Sequence, residues 1–431
     1  MKKIGKYEVI RELGKGATSA VYEALDPFVN RHVAIKVVFA EALGDKEHGR
    51  RYRKLFVTEA SLAGKLSHPH IVCIYDAVAD DEASYIVMEY VDGTTLEQYS
   101  RPEHLLPINK VIEIVFKCTK ALDYAAKQGV IHRDIKPANI MLSGENDIKI
   151  TDFGAALTSA TETTQITGIG SPAYMSPEQV KEQPLTHQTD IFSLGVVLFQ
   201  MLTGKLPFQA NNNYSMIYQI INAEAPAPST LRTEVPPQLD AIVKRALQKT
   251  TAARYQSWEE ISHDLVAVFG NLQKPEKSIP DSEKFNALRK LTFFKNFADV
   301  ELWEVLRVTT WHKYGPGQML IKEGDIGKSF FILAAGEVKI TKQDKLLNVL
   351  RAGDCFGEMA YLGKKQFQRS ASVSSATDIT VIEIQSEALA QASGLCRHNF
   401  NGAFLEILVD RLSMANTRLS QLLADKNISV F

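Results

Sequence analysis

The feature that most limits what this chain can fold into is a break: 273-QKPEKSIPDSEK-284 is polar, holds two prolines and has no hydrophobic period. Such a stretch cannot join a core, so residues 271–284 read as a linker. Extended, the stretch spans on the order of 40 Å. A chain of 431 residues is also too long for one ordinary core,. The expectation is one domain over residues 1–270 and a second over 285–431.

The two sides of the break carry different periods. Residues 7–104 are rich in β-branched runs such as 33-VAIKVVF-39 and 85-YIVMEYV-91, with one helix expected near 52–66,. From Pro107 to Gly270 apolar residues recur at three- and four-residue spacing, as in 108-INKVIEIVFKCTKALDYAAKQG-129,. The segment 191-IFSLGVVLFQML-202 is too short to cross a bilayer and reads as a buried helix,. Beyond the linker, 285–309 is helical again, and 315–384 sets closely spaced glycines between short alternating runs. That pattern belongs to a compact barrel or jelly roll. A last amphipathic helix is expected over Asn399–Leu423, with Phe404, Leu408, Leu412 and Leu419 on one face. Such a stripe serves as a core or dimer seam, or caps a bound base. The whole reads as a multidomain α+β chain: a strand-rich lobe, a helical lobe, then a jelly roll with flanking helices.

A formal net charge of −1 gives no electrostatic reason to expect nucleic acid or an anionic membrane as partner,. The four cysteines (Cys73, Cys118, Cys355, Cys396) are scattered without metal or dithiol spacing,. With no signal-like run after MKKIGKYEVI, the expectation is a soluble cytoplasmic protein,.

The chemistry gathers in order along the first domain. Gly14 and Gly16 in 11-RELGKGATSAVYEA-24 form a hairpin whose backbone can lie close over a polyphosphate,. Lys36 follows on the next strand and needs an acid, for which Glu59 in 56-FVTEASLAGKL-66 is the candidate. Then come 131-IHRDIKPANIML-142 and 150-ITDFGAAL-157, bringing Asp134, Asn139 and Asp152 together. Two carboxylates and an amide suit a hydroxyl nucleophile and magnesium. His68 and His70, flanking Pro69, read as turn residues and not as metal ligands.

In that order and spacing, residues 7–268 resemble a eukaryotic-type serine/threonine protein kinase domain of the bacterial kind, with an N-lobe over 7–91 and a C-lobe over 92–270. The resemblance implies ATP and Mg²⁺. Leu13, Gly14, Lys15, Gly16, Val21, Ala34, Lys36, Met88, Glu89 and Val91 would surround ATP, with Glu59 pairing Lys36. Asp134 would take the substrate proton, Lys136 would steady the γ-phosphate, and Asn139 and Asp152 would bind the metal. Glu178 with Arg254, and Asp190, would brace the fold. Ser19 stands at the third glycine position, and Ser176-Pro177-Glu178 stands where Ala-Pro-Glu is usual. Arg133, beside Asp134, would be neutralised by a phosphate on 155–175, where Thr161, Thr163, Thr164 and Thr167 are candidates and Thr163 and Thr164 are favoured. Ser171 would bond the catalytic aspartate.

In the second domain, 356-FGEMAYLGKKQFQRSASV-373 offers free backbone N–H groups after Gly357, one carboxylate, and one returning arginine. Arg369 suits a phosphate, and Glu358 suits a sugar hydroxyl. The stretch resembles the phosphate cassette of cyclic-nucleotide-binding domains over about 285–425, which implies Gly357, Glu358, Met359, Ala360, Arg369, Ser370 and Ala371 as ligand contacts. Arg369-Ser370 favours cAMP over cGMP. The gap from Glu358 to Arg369 is longer than in the regulatory subunit of cyclic-AMP-dependent kinase, and Gln368 replaces the usual proline. The expected function is a Ser/Thr protein kinase regulated by cyclic nucleotide, acting on protein substrates, with a homodimer possible. The alternative is a kinase whose barrel binds no nucleotide, Glu358 pairing with Arg369, and serves dimerisation or protein contacts.

Overall fold

The computed structural model describes residues 3–16, 19–39, 64–79, 84–144, 147–153, 157–158, 172–272, 279–358 and 368–425. The chain divides into two compact units, Met1–Pro275 and Glu276–Phe431.

The first unit begins with β1 (Lys3–Ile4), β2 (Tyr7–Lys15), β3 (Ser19–Asp26), β4 (Arg31–Val38), β5 (Ile74–Ala79) and β6 (Ser84–Glu89), which form one antiparallel sheet in the order β1-β2-β3-β4-β6-β5. Alternation buries Tyr7, Ala24, Val33, Ile35 and Val87 together on one face of it,. β7 (Gly93–Thr95) then pairs with β9 (Ile140–Ser143), which pairs with β10 (Asp147–Ile150). β8 (Val130–Ile131) pairs with β11 (Leu157–Thr158). Residues 64–66, expected at the end of a helix, are turn and irregular chain, with Ile71 donating to the His68 carbonyl. The rest of that expected helix lies outside the described residues. The His68 ring accepts from the His70 N–H at 3.0 Å, as a turn pair does.

The helical part holds α1 (Ile108–Lys127), α2 (Pro177–Val180), α3 (His187–Thr203), α4 (Asn213–Asn222), α5 (Pro237–Ala246) and α6 (Trp258–Leu272). The apolar run in α3 is buried on every side, which is why its sequence lacks a polar face,. It shares one core with Val111, Ile112 and Val115 of α1 and with Ile261 and Leu265 of α6.

The second unit starts earlier than the linker reading allowed. Helix α7 (Asp281–Lys290) takes up residues 281–284, with Asp281 and Glu283 in its first turn,. After α8 (Asp299–Arg307), two four-stranded antiparallel sheets face each other as a jelly roll. One has the order β12-β19-β14-β17 and the other β13-β18-β15-β16. The strands are β12 (Thr309–Tyr314), β13 (Met319–Ile321), β14 (Ser329–Ala335), β15 (Glu337–Lys342), β16 (Lys345–Arg351), β17 (Cys355–Phe356), β18 (Ser372–Ser375) and β19 (Ile379–Gln385). Ile321, Leu333, Val338, Phe356, Val373 and Val381 fill the space between them.

α9 (Ser386–Leu389) leads into α10 (Gly394–Asp425), longer at its start than the expected 399–423. Its Phe400 and Phe404 join Phe293, Phe294, Phe297 and Phe330 in an aromatic layer beside the barrel. The expected stripe does not continue as read: Phe404 is fully buried, while Leu412 is 63% exposed. Two turns of a helix advance about seven residues, to 411 and not 412.

Candidate functional site

The loop after β8 is built from inside. The buried Asp190 carboxylate, on α3, accepts from the N–H of His132 at 2.8 Å and of Arg133 at 2.7 Å. Burial pushes its carboxyl upward, against the pull of His132 and of these two bonds,. His132 reaches the Thr151 carbonyl at 2.9 Å, accepts from the Asp134 N–H at 3.2 Å, and packs on Phe153 at 4.5 Å. Arg133 sits at φ +69° with its carbonyl taken by the Gln179 amide at 2.8 Å. His132 and Gln179 were not singled out in the sequence, although His132 stands beside the catalytic loop's aspartate.

On that frame the working groups converge. The Lys136 ammonium pairs with Asp134 at 2.7 Å, and the Asn139 amide donates to the Asp134 carboxylate at 3.0 Å and to its carbonyl at 2.8 Å. The Thr151 N–H donates to the Asn139 carbonyl at 2.9 Å, which sets Asp152 beside Asn139. Asp152, at φ +59°, accepts a short hydrogen bond from Lys36. Burial raises the Asp152 carboxyl, but Lys36, with His132 and Lys136, brings it below its ordinary value. Glu59, the expected partner of Lys36, lies outside the described residues.

Lys36, Ile86, Met88, Ile150, Asp152 and Phe153 line one cavity, mostly apolar, with Lys36 and Asp152 as its charged groups. Ala34 is buried, Val21 half-buried, and Leu13 and Lys15 are exposed on the hairpin. The Glu89 N–H bonds the Cys73 carbonyl at 2.8 Å and its carboxylate holds Lys149 at 2.7 Å, so a base at Glu89–Val91 must use other backbone groups. A Cβ built on Gly14 meets no protein atom, and one on Gly16 comes to 3.6 Å of the Ser19 carbonyl. Neither glycine is therefore pressed by protein atoms on its Cβ side. The Asn139 amide and the Asp152 carboxylate suit magnesium, which takes few protein ligands and fills the rest from phosphate and water. Thr161, Thr163, Thr164, Thr167 and Ser171 lie outside the described residues.

Below this cleft, Arg254 and Glu178 form a buried two-point ion pair at 2.7 and 3.1 Å, to which the Thr189 hydroxyl donates at 3.0 Å. Burial would raise the Glu178 carboxyl, yet Arg254 holds it below its ordinary value,.

In the barrel, β17 ends at Gly357, whose φ of +77° and open side let Arg369 pass: a Cβ there would lie 2.6 Å from the guanidinium. Arg369 reaches Gly357 despite the longer gap. It donates to the Gly357 carbonyl at 3.1 Å and to the Ser329 carbonyl at 2.7 Å, while its own N–H bonds the Asp325 carbonyl at 2.7 Å. Burial lowers its pKa, countered by Glu358, Glu383 and Asp325. Glu358 pairs with Arg411 of α10 at 2.8 Å, so the expected alternative of a Glu358–Arg369 pair is not what the barrel shows among the described residues. Phe356, Glu358, Arg369, Ser370, Ala371 and Arg411 line one cavity. Met359 and Ala360 lie outside the described residues. Arg411 was missed in the sequence, where its signal is a lone cation two turns after Phe404 on the inward face of the helix.

Comparison with known proteins agrees with this division. The family profile "Protein kinase domain" matches residues 7–266, and "Cyclic nucleotide-binding domain" matches residues 311–393. A probable serine/threonine-protein kinase of Clostridium acetobutylicum is 39% identical over 282 residues, covering 65% of this chain and 41% of that protein. Serine/threonine-protein kinase PrkC of Bacillus subtilis is 35% identical over 294 residues, 68% of this chain and 45% of its own length. Serine/threonine-protein kinase PknB of Mycolicibacterium smegmatis is 37% identical over 294 residues, 66% and 46%. The chain thus spans less than half the length of these relatives. Among the described residues no helix is long and apolar enough to cross a membrane.

Proposed function

The chain belongs to the protein kinase family, and on that premise we propose that it transfers the γ-phosphoryl group of ATP to serine or threonine hydroxyls of protein substrates. The observation that carries this reading is the cluster of Asp134, Lys136 and Asn139 held beside Asp152 and Lys36. Asp134 orients the substrate hydroxyl and accepts its proton on a carboxylate oxygen as the new O–P bond forms and the bond to ADP breaks. Lys136 keeps a positive charge beside that carboxylate. Lys36 passes from Asp152 to the α- and β-phosphates, with Glu59 as its steadying acid. Asn139 and Asp152 would hold Mg²⁺, which when bound supplies charge against the phosphates. Leu13, Val21, Ala34 and Met88 would enclose the adenine.

Arg133, buried beside Asp134, supports control by phosphorylation of the segment at Thr163 or Thr164, with Thr161 and Thr167 as further candidates,. In the barrel, Glu358 would accept from a ribose hydroxyl and Arg369 would face a cyclic phosphate, with Gly357, Ser370 and Ala371 around it. Arg369-Ser370 favours cAMP over cGMP. Nucleotide binding would then shift the kinase by a coupling of about 1–3 kcal/mol, reciprocal between the two sites. The setting that supplies both nucleotides is the cytoplasm.

The test is transfer of labelled phosphate from ATP by the full chain, with and without cAMP or cGMP. Transfer lost in Asp134→Asn and altered by cAMP is expected. A wild type inactive under every condition overturns the catalytic reading. Activity indifferent to both nucleotides overturns the regulatory one.

A further inference from the structure

Glu358 is only 8% exposed, and a carboxylate that far from water needs a cation or several donors,. Arg369, the expected cation, is engaged elsewhere, on the Gly357 and Ser329 carbonyls. The partner comes from α10: Arg411 donates through one terminal nitrogen to Glu358 at 2.8 Å and through the other to the Cys355 carbonyl. Two acceptors on one planar guanidinium fix its direction, which a lysine ammonium could not do. The bond uses one oxygen of Glu358, and a carboxylate has about four acceptor positions. Both side chains line the same cavity as Arg369 and Ser370.

We infer that Arg411 is a positioning residue of the barrel site: it holds Glu358 in the orientation that receives the one free ribose hydroxyl of a 3′,5′-cyclic nucleotide. This rests on the reading that the barrel binds such a nucleotide. In a 3′,5′-cyclic nucleotide the phosphate takes the 3′ and 5′ oxygens, so only the 2′-hydroxyl is left to donate. Arg411 therefore acts on the ligand through Glu358 and through that hydroxyl. Removing the hydroxyl from the ligand removes the reason for Arg411.

The experiment is calorimetric titration of the full chain, wild type and Arg411→Gln, with cAMP and with 2′-deoxy-cAMP. Arg411→Gln is expected to weaken cAMP about tenfold or more, the scale of one hydrogen bond to a charged group. The deoxy analogue should change less than about threefold, since the contact that Arg411 serves is already missing. Equal losses with both ligands would mean that Arg411 only props the fold, and an unchanged cAMP affinity would mean that it does nothing here. Either result overturns the inference while leaving nucleotide binding intact. A wild type that binds neither cAMP nor cGMP removes the nucleotide reading and this inference with it. Should Arg411→Gln not fold, Arg411→Lys carries the same comparison, because it keeps the charge and loses the two-point contact.

Discussion

In the cleft of the first unit the side chain of Asp134 keeps 43% of its surface exposed, whereas in the barrel that of Glu358 keeps 11%. In the proposed reaction a cleft carboxylate would change partners, from lysine to hydroxyl proton or metal, and water would lower the cost of each exchange. The barrel carboxylate has one standing partner, Arg411, and in the proposed binding would take one visiting ligand. Burial there strengthens each bond it makes and demands that the cation never leave unreplaced. The two sites also differ in where their partners come from. Lys136 and Asn139 lie two and five residues from Asp134, but Arg411 lies 53 residues from Glu358.

The largest effect should follow from removing the carboxylate that must exchange. Asp134→Asn is expected to slow single-turnover phosphoryl transfer by about 10²- to 10⁴-fold, the usual contribution of a general base. Nucleotide affinity of the barrel should not move. Transfer retained within tenfold would break the comparison, since the cleft would then contain no exchanging base.

A buried pair inside the kinase unit behaves like the barrel's and not like the cleft's. Arg254→Met leaves Glu178 buried without its cation and should cost about 3–5 kcal/mol in denaturant unfolding. The pH dependence has a definite sign. Arg254 holds the Glu178 carboxyl below its ordinary value of 4.5, so its contribution is complete above that value and is lost as pH falls through the lowered one,. In Arg254→Met burial, the largest influence, is opposed only by the Thr189 and backbone hydrogen bonds and raises Glu178 from its wild-type position, so acidification should relieve that variant and narrow its gap to wild type,. A gap that stays constant with pH would show that its cost does not come from the charge on Glu178.

These contrasts explain what could be read from the chain. Asp134, Lys136 and Asn139 share one loop, so their convergence is legible as spacing. Gly357, Glu358 and Arg369 are likewise close along the chain, and Arg369 does reach Gly357. The pair Glu178–Arg254 spans 76 residues, and only resemblance to a family pointed to it; the same resemblance pointed to Asp190 but not to His132, 58 residues away. Arg411 had neither spacing nor family motif behind it. Its position follows from the register of a helix, which the alternation of leucines obscured. The linker was read too long because Asp281, Ser282 and Glu283 are polar for a different reason: they begin a helix whose first turn favours acids,.

The register of α10 gives the next effect. Phe404 is fully buried against Phe293 and Phe330 at 5.4 and 5.0 Å, so Phe404→Ala should destabilise the barrel unit by about 3 kcal/mol in thermal or denaturant unfolding,. The transition of the kinase unit should hold its place. A loss below about 1 kcal/mol would mean that the aromatic layer is not the seat of the helix.

The smallest effect sharpens the comparison most, because it separates two neighbouring residues. Stepping by four from Phe404 through Leu408 leads to Leu412, while the 3.6-residue turn leads to Arg411. Leu412 is 63% exposed, and Leu412→Ser should change stability by no more than about 0.5 kcal/mol and leave nucleotide affinity unchanged,. Arg411→Gln, one position earlier, should change that affinity. If Leu412→Ser instead costs more than about 1.5 kcal/mol, something covers that face in solution. A melting temperature of the wild type that rises with protein concentration would then identify the cover as a second copy of the chain, since association stabilises by mass action. Stability independent of concentration would leave the exposed leucine as it stands in the fold, with Arg411 as the α10 residue that lines the barrel cavity among the described residues.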